Sequence, residues 1–170
     1  DMILVKNLTK KFGKFTAIDD VNLSFQNGHS IALIGPNGCG KTTLIKCILG
    51  LNVVENGDIF VDEKSVKDDY LYRRNIGYMP QIGRYPENMT IGHTIQMIKD
   101  TRKLSEEHLD TELLEDFELE KMFDKKMGNL SGGTTQKVSA VLAFMFDPKI
   151  IILDEPTAGL DPLASEILKK

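Results

Sequence analysis

Gly35-Pro-Asn-Gly-Cys-Gly-Lys-Thr42 is the stretch on which the fold turns. It follows the apolar run Ile31-Ala-Leu-Ile34 and precedes a helical pattern that begins near Lys41. Two glycines with four residues between them, then a lysine and a hydroxyl, set between a strand and a helix, make a loop that cradles phosphate. The glycines let successive backbone N–H groups turn inward on phosphate oxygens, and the helix start adds its positive end. Lys41 supplies a cation for the β and γ phosphates, and Thr42 a hydroxyl for Mg²⁺. Candidate contacts along the loop are Gly35, Asn37, Gly38, Cys39, Gly40, Lys41, Thr42 and Thr43. A mere glycine-rich turn would not need both flanks. By itself the loop implies a nucleotide and nothing finer.

Reading outward, short β-type runs at Ile3–Val5, Val21–Phe25, Ser30–Ile34, Asp58–Val61, Ile76–Met79 and Ile150–Leu153 are interleaved with helical stretches. That pattern belongs to an α/β layered core. The runs Ile31–Ile34 and Ile150–Leu153 are apolar without alternation, which predicts strands buried on both faces. Between Thr90 and Leu142 the pattern turns helical, with Ile91, Ile95 and Ile98 spaced as one face and Leu109, Leu113 and Phe117 as another. The expected organisation is one domain over residues 1–170, with a nucleotide-binding core in 1–82 and 143–170 and a helical subdomain at 83–142. The last residues, Pro162 to Lys170, form an apparent helix without a capping glycine or a closing strand, which predicts a C-terminally truncated domain.

Composition narrows the function classes. With 41% hydrophobic and 27% charged residues the chain has enough apolar material for one core. Its formal net charge of −4 is too weak and of the wrong sign to grip nucleic acid. No stretch reaches the roughly eighteen uninterrupted apolar residues of a membrane span, so a cytosolic location is expected. Cys39 and Cys47 are too far apart for a paired metal motif and too few for a disulfide framework, so both should be reduced thiols.

A second candidate centre follows the apolar run at 150–153. Asp154 and Glu155 stand at the carboxyl end of a predicted parallel strand, the rim where such sheets bind ligands. Asp154 can hold Mg²⁺ through water while Glu155 reaches an attacking water, and alternation along a strand would send the two to opposite sides. Pro156 follows at once, so a plain surface turn is the competing reading. Ser131, Gly132 and Gly133 open a helical run and offer a second anion site at a helix N-terminus, which also serves as a helix cap.

Leu130-Ser-Gly-Gly-Thr-Thr-Gln136, Gln81 after Ile76-Gly-Tyr-Met-Pro80, and Ala158-Gly-Leu-Asp161 resemble the signature, Q-loop and D-loop of ABC ATPases. With the two motifs above, the resemblance is ordered and covers the whole chain. It implies a P-loop NTPase core with a mixed, largely parallel sheet, an N-terminal antiparallel β subdomain and an inserted helical subdomain. It further implies a head-to-tail dimer with a second ATPase subunit, each MgATP lying between one subunit's phosphate loop and the other's Ser131, Gly132 and Gly133, with Asp161 nearby. Gln81 would link Mg²⁺ and the attacking water to a transmembrane permease, and Glu155 would be the catalytic base. Phe12 resembles the aromatic that stacks on adenine, with Phe15 as a competitor and core packing as the alternative for both. Thr134 departs from the family's glutamine, which puts that longer amide's contact in question.

In the resembling family a histidine beyond residue 170 contacts the γ-phosphate, on a strand between those of the phosphate loop and Asp154. His29, His93 and His108 read as solvated instead. The interval from Lys41 to Asp154 is 113 residues (154 − 41), too short for relatives with long coiled-coil insertions. The segment Lys126–Leu130 lacks the run typical of multidrug exporters with fused spans. What remains resembles separate ATPase subunits of bacterial copper-maturation, gliding and drug-export systems, peripheral on the inner face of the membrane. A soluble ABC ATPase in iron–sulfur-type cofactor assembly is the alternative, and a nucleotide-gated scaffold a third reading.

Overall fold

In the computed structural model, residues 2–103 and 109–169 are described. The chain divides into two compact units, Asp1–Arg73 and Arg74–Lys170. His108 lies outside the described residues.

The first unit is built on an antiparallel sheet. Strand β1 (Ile3–Phe12) pairs with β2 (Phe15–Phe25) on one side and β3 (Asn56–Val61) on the other, and β3 pairs with the short β4 (Lys64–Ser65), giving the order β2-β1-β3-β4. Both long strands run well past the predicted Ile3–Val5 and Val21–Phe25. Polar residues such as Lys6, Asn7, Lys10 and Lys11 hide the continuation of β1, and its register shifts between Val5 and Leu8 break the simple alternation. Asn7 sits at that irregularity with φ 46, its side chain donating to Asp20 at 3.0 Å. Gly57, φ 86, faces it from β3, where a Cβ would come within 2.4 Å of the carbonyl oxygens of Lys6 and Asn7. Only glycine fits there.

Helix α1 (Lys41–Ile48) buries Leu44, Ile45, Cys47 and Ile48, and the sheet contributes Ile3, Val5, Leu8, Ile18, Ile59 and Val61 to the same unit's core. The stretch between β2 and α1 contradicts the expectation of a strand. Residues 30–34 form no strand and are exposed, with Ile34 at 92%. A strand exists through its ladder, and among the described residues none pairs with this run.

The second unit holds a parallel pair, β5 (Ile76–Met79) and β6 (Ile150–Leu153), in the register Ile76↔Ile150 to Met79↔Leu153. Both ranges match the expected runs. The prediction that 150–153 is buried on both faces does not hold, because Ile151 and Leu153 are 39% and 36% exposed. Among the described residues, four α-helices pack in the unit: α2 (Ile91–Arg102), α3 (Glu112–Asp116), α4 (Gly132–Phe144) and α5 (Pro162–Leu168). Ile91 and Ile95 are buried as the helical spacing requires. In the short α3 the deeper residue is Leu114 rather than Leu113, with Phe117 and Leu119 buried behind it. These side chains join Met79, Val138, Val141 and Met145 in one hydrophobic core. Among the described residues, no helix is long and apolar enough to cross a membrane.

Candidate functional site

The candidate phosphate loop lies in the first unit. Gly38 and Gly40 have φ 80 and 96, and a Cβ on Gly40 would stand 2.7 Å from the Ala17 carbonyl oxygen. These glycines therefore serve both the backbone turn and its close approach to β2. Gly40 is the N-cap of α1 and offers no side-chain cap, and no acid lies in the helix's first turn. The positive end of α1 is thus left without a neutralising carboxylate of its own. Lys41 Nζ donates to the carbonyl oxygens of Gly35 and, at 3.0 Å, Pro36, and lies 3.7 Å from Cys39 Sγ. The ammonium is folded back over the loop it terminates. Asn37 and Cys39 are exposed, while Thr42 and Thr43 are half-buried on the first turn.

Phe12 and Phe15 face each other as register partners at the β1–β2 hairpin. They are 49% and 62% exposed, so core packing is excluded for both rings. Lys10 Nζ stands 4.8 Å from the Phe12 ring centroid, so that face already carries a cation.

In the second unit Asp154 continues the parallel ladder by one bond, its N–H donating to Met79 O at 3.0 Å, and is 5% exposed. Glu155 is exposed and has φ 49. Glu155 is itself the left-handed residue and β6 ends at Leu153, so the strand alternation expected for the two acids does not hold. Gln81 Nε2 donates to Glu155 Oε2 at 2.9 Å, bringing together two residues that the sequence proposed separately. Beyond Glu155 the chain makes a turn closed by Ala158 N–H to Glu155 O at 3.0 Å and Leu160 N–H to Thr157 O at 3.2 Å. Asp161 ends it as the N-cap of α5, accepting from Ala164 N–H at 2.9 Å. That bond, aided by Lys137, holds the Asp161 carboxyl below its ordinary range.

Ser131 caps α4 as expected, its Oγ accepting from Thr134 N–H at 3.2 Å. Thr134 uses its hydroxyl locally, 2.9 Å from Ser131 Oγ. Gly132 and Gly133 form the first turn behind it. Sequence reasoning missed the hydrogen bond between Tyr85 Oη and Ser139 Oγ at 2.7 Å, which no local motif announces. Burial pushes the Tyr85 hydroxyl's pKa up, and the Ser139 bond opposes that shift. Of the histidines, His29 and His93 are exposed, in line with the solvated reading. Among the described residues no group of three or more His, Cys, Asp or Glu side chains is arranged to hold a metal.

The ABC transporter family profile matches residues 18–158, across the loop, the signature and the carboxylate pair. The chain belongs to the ABC transporter family. It is 38% identical over 165 residues to a probable sulfate/thiosulfate import ATP-binding protein of Chlorella vulgaris, covering 94% of this chain and 69% of that one. It is 35% identical over 162 residues to a sulfate/thiosulfate import ATP-binding protein of Mesostigma viride, covering 94% and 47%. The chain spans about half the length of most of the curated relatives it matches, as in this case.

Among solved structures, an ATP-binding subunit of an ABC transporter superposes with a TM-score of 0.89 at 34% identity, covering 99% of this chain and 72% of that one. A dimeric ATP-binding cassette in a post-hydrolysis state, bound to ADP and Pi, does so at 0.82 and 28%, covering 98% and 79%. The fold is that of an ABC cassette, a P-loop NTPase core with an antiparallel N-terminal sheet. Within it, the parallel sheet of the described residues consists of β5 and β6.

Proposed function

We propose that this chain is the nucleotide-binding part of an ABC transporter ATPase, which hydrolyses MgATP and drives transport through a separate membrane permease. The observation that carries the reading is the loop Gly35–Thr42 ending on an uncapped helix start with Lys41 folded over it. Lys41 would exchange its bonds to loop carbonyls for phosphate oxygens, and the N-terminal end of α1 would favour the same charge. Phe12, exposed beside Lys10, is our candidate for the adenine face.

By residue type, Thr42, Gln81 and Asp154 carry oxygens of the kind Mg²⁺ takes when substrate phosphates and waters fill most of its octahedron, and they are our candidates to hold it. Bound there, the ion would neutralise charge developing on the transferred phosphoryl group. Glu155 is the proposed base. Its bond to Gln81 Nε2 orients the carboxylate, and Glu155 Oε1 remains to take a proton from a water. Gln81 would thereby couple the base to whatever moves the Q-loop, which we assign to the permease.

We further propose a homodimer in which Ser131, Gly132 and Gly133 of one subunit meet the nucleotide held by the other, with Asp161 close by. Thr134, already bonded to Ser131, would leave that contact to the serine and the glycines. The division into a core at 1–82 and 143–170 and a helical subdomain at 83–142 is part of this reading, as is a position on the inner face of the membrane. The import names of these similar proteins favour an uptake system over the cofactor-assembly alternative. Titration of the full-length protein with ATP tests the proposal. Lys41→Ala should weaken binding, and an unchanged affinity would remove the loop from the site.

A further inference from the structure

The signature helix does more than present its N-terminus. Gly133, Gln136 and Lys137 stand at i, i+3 and i+4, so they share one face of α4. All three meet the turn at 158–161. A Cβ on Gly133 would stand 3.0 Å from Gly159 O, the mark of a close backbone approach. Gln136 Nε2 donates to Ala158 O at 3.4 Å, and Lys137 Nζ pairs with Asp161 Oδ2 at 3.4 Å. Gln136 is buried, at 5% exposure, and the described residues give its Oε1 no hydrogen-bond donor. An amide in a core with one half unsatisfied is a net cost to stability, and the half that is satisfied is the one on the turn.

We propose that Gln136 and Lys137 are positioning residues that seat the D-loop turn on the signature helix, so that Glu155, the start of that turn, and Ser131, the start of α4, are held as one body. The turn is anchored at its far end too, because Asp161 both pairs with Lys137 and caps α5. Loosening the seat frees the peptide that follows Glu155, whose own carbonyl closes the turn onto Ala158 N–H. The base then loses its fixed approach while nucleotide contacts in the phosphate loop are untouched. The catalytic half of this inference rests on the ATPase reading above, whereas the seat itself does not.

The test compares Gln136→Met, Lys137→Met and Lys137→Arg with wild type in the full-length protein. Hydrogen exchange is read at Ala158 and Leu160 without nucleotide, and ATPase kinetics are read in parallel. Methionine at 136 removes the bond to Ala158 and the orphaned oxygen together, so global stability should stay near wild type. Exchange at the two turn amides should rise about tenfold in both methionine variants, as for a local opening that loses one bond. The kcat should fall roughly tenfold with the KM for ATP little changed, the pattern of an interaction needed only for the reacting geometry. Lys137→Arg, which keeps the charge, should restore both readouts. Exchange at wild-type rates in the methionine variants would overturn the seat. Raised exchange with wild-type kcat would overturn its role in positioning Glu155. A full-length wild type without ATPase activity would instead refute the ATPase reading, and exchange would still decide the seat.

Discussion

Helices α1 and α4 begin in opposite ways. The first starts behind Gly40, in a left-handed conformation with no capping side chain, and its nearest ammonium is bent over loop carbonyls. The second starts behind Ser131, whose hydroxyl already accepts from Thr134 N–H, and Thr134 adds a second bond to the same oxygen. A helix start without a cap leaves its donors to water or to a ligand, whereas a side-chain cap satisfies one of them within the chain. The difference assigns them unequal work. On the function proposed above, the α1 start would take the outside anion, and the α4 start, capped from within, would add its contact from a second subunit.

The sharpest way to break this comparison lies outside both helices. If the α1 start binds and the carboxylate pair reacts, Glu155→Gln should slow ATP hydrolysis roughly 10²–10⁴-fold, the usual worth of a positioned base, and leave binding intact. Turnover measured beside nucleotide affinity checks it, and wild-type turnover would move the base elsewhere. Lys41→Ala should reduce ATP affinity roughly ten- to a hundredfold, since a charge-assisted contact to phosphate is lost. Equilibrium titration gives the answer, and an equal loss of hydrolysis without loss of affinity would shift Lys41 from binding to chemistry.

The caps themselves can be exchanged. Ser131→Ala should cost about 1 kcal/mol in denaturant unfolding, the typical value of an N-cap, with ATP binding by the single subunit unchanged. Gly40→Ser offers the missing cap to α1 but should still destabilise, by about 1–3 kcal/mol, because φ is 96 and Ala17 O would lie 2.7 Å from the new Cβ. A stabilised Gly40→Ser protein would show that the open start of α1 is an accident of sequence.

The smallest effect is kinetic. Cys39 is exposed while Cys47 is buried, and burial pushes the Cys47 thiol's pKa up, leaving less thiolate. Maleimide should label Cys39 first, and MgATP should protect it. Labelling at one rate with and without nucleotide would place Cys39 away from the bound phosphates.

Much of this was legible in the chain because it depends on consecutive residues. The glycine spacing before Lys41, the serine before Gly132 and the apolar four-residue runs at 76–79 and 150–153 each encode a local backbone choice. The run at 31–34 carries the same signal as 150–153 and yet forms no strand, because an apolar segment becomes a strand only where a neighbour supplies hydrogen bonds. The polar stretch of β1 shows the reverse, since β2 and β3 impose a strand on residues whose own pattern does not ask for one.

The sequence by itself determined the glycine-rich turn before Lys41, the cap of α4 and the acids that follow β6, because backbone geometry there follows from the types of adjacent residues. Tertiary structure alone decided that both hairpin phenylalanines stand exposed, that Gly57 must be glycine, and that Gln81 reaches Glu155 across 74 positions of sequence. It also brought Gln136 and Lys137 onto the 158–161 turn. Such pairs depend on which faces the packed core leaves opposed, and no spacing along a single chain records that.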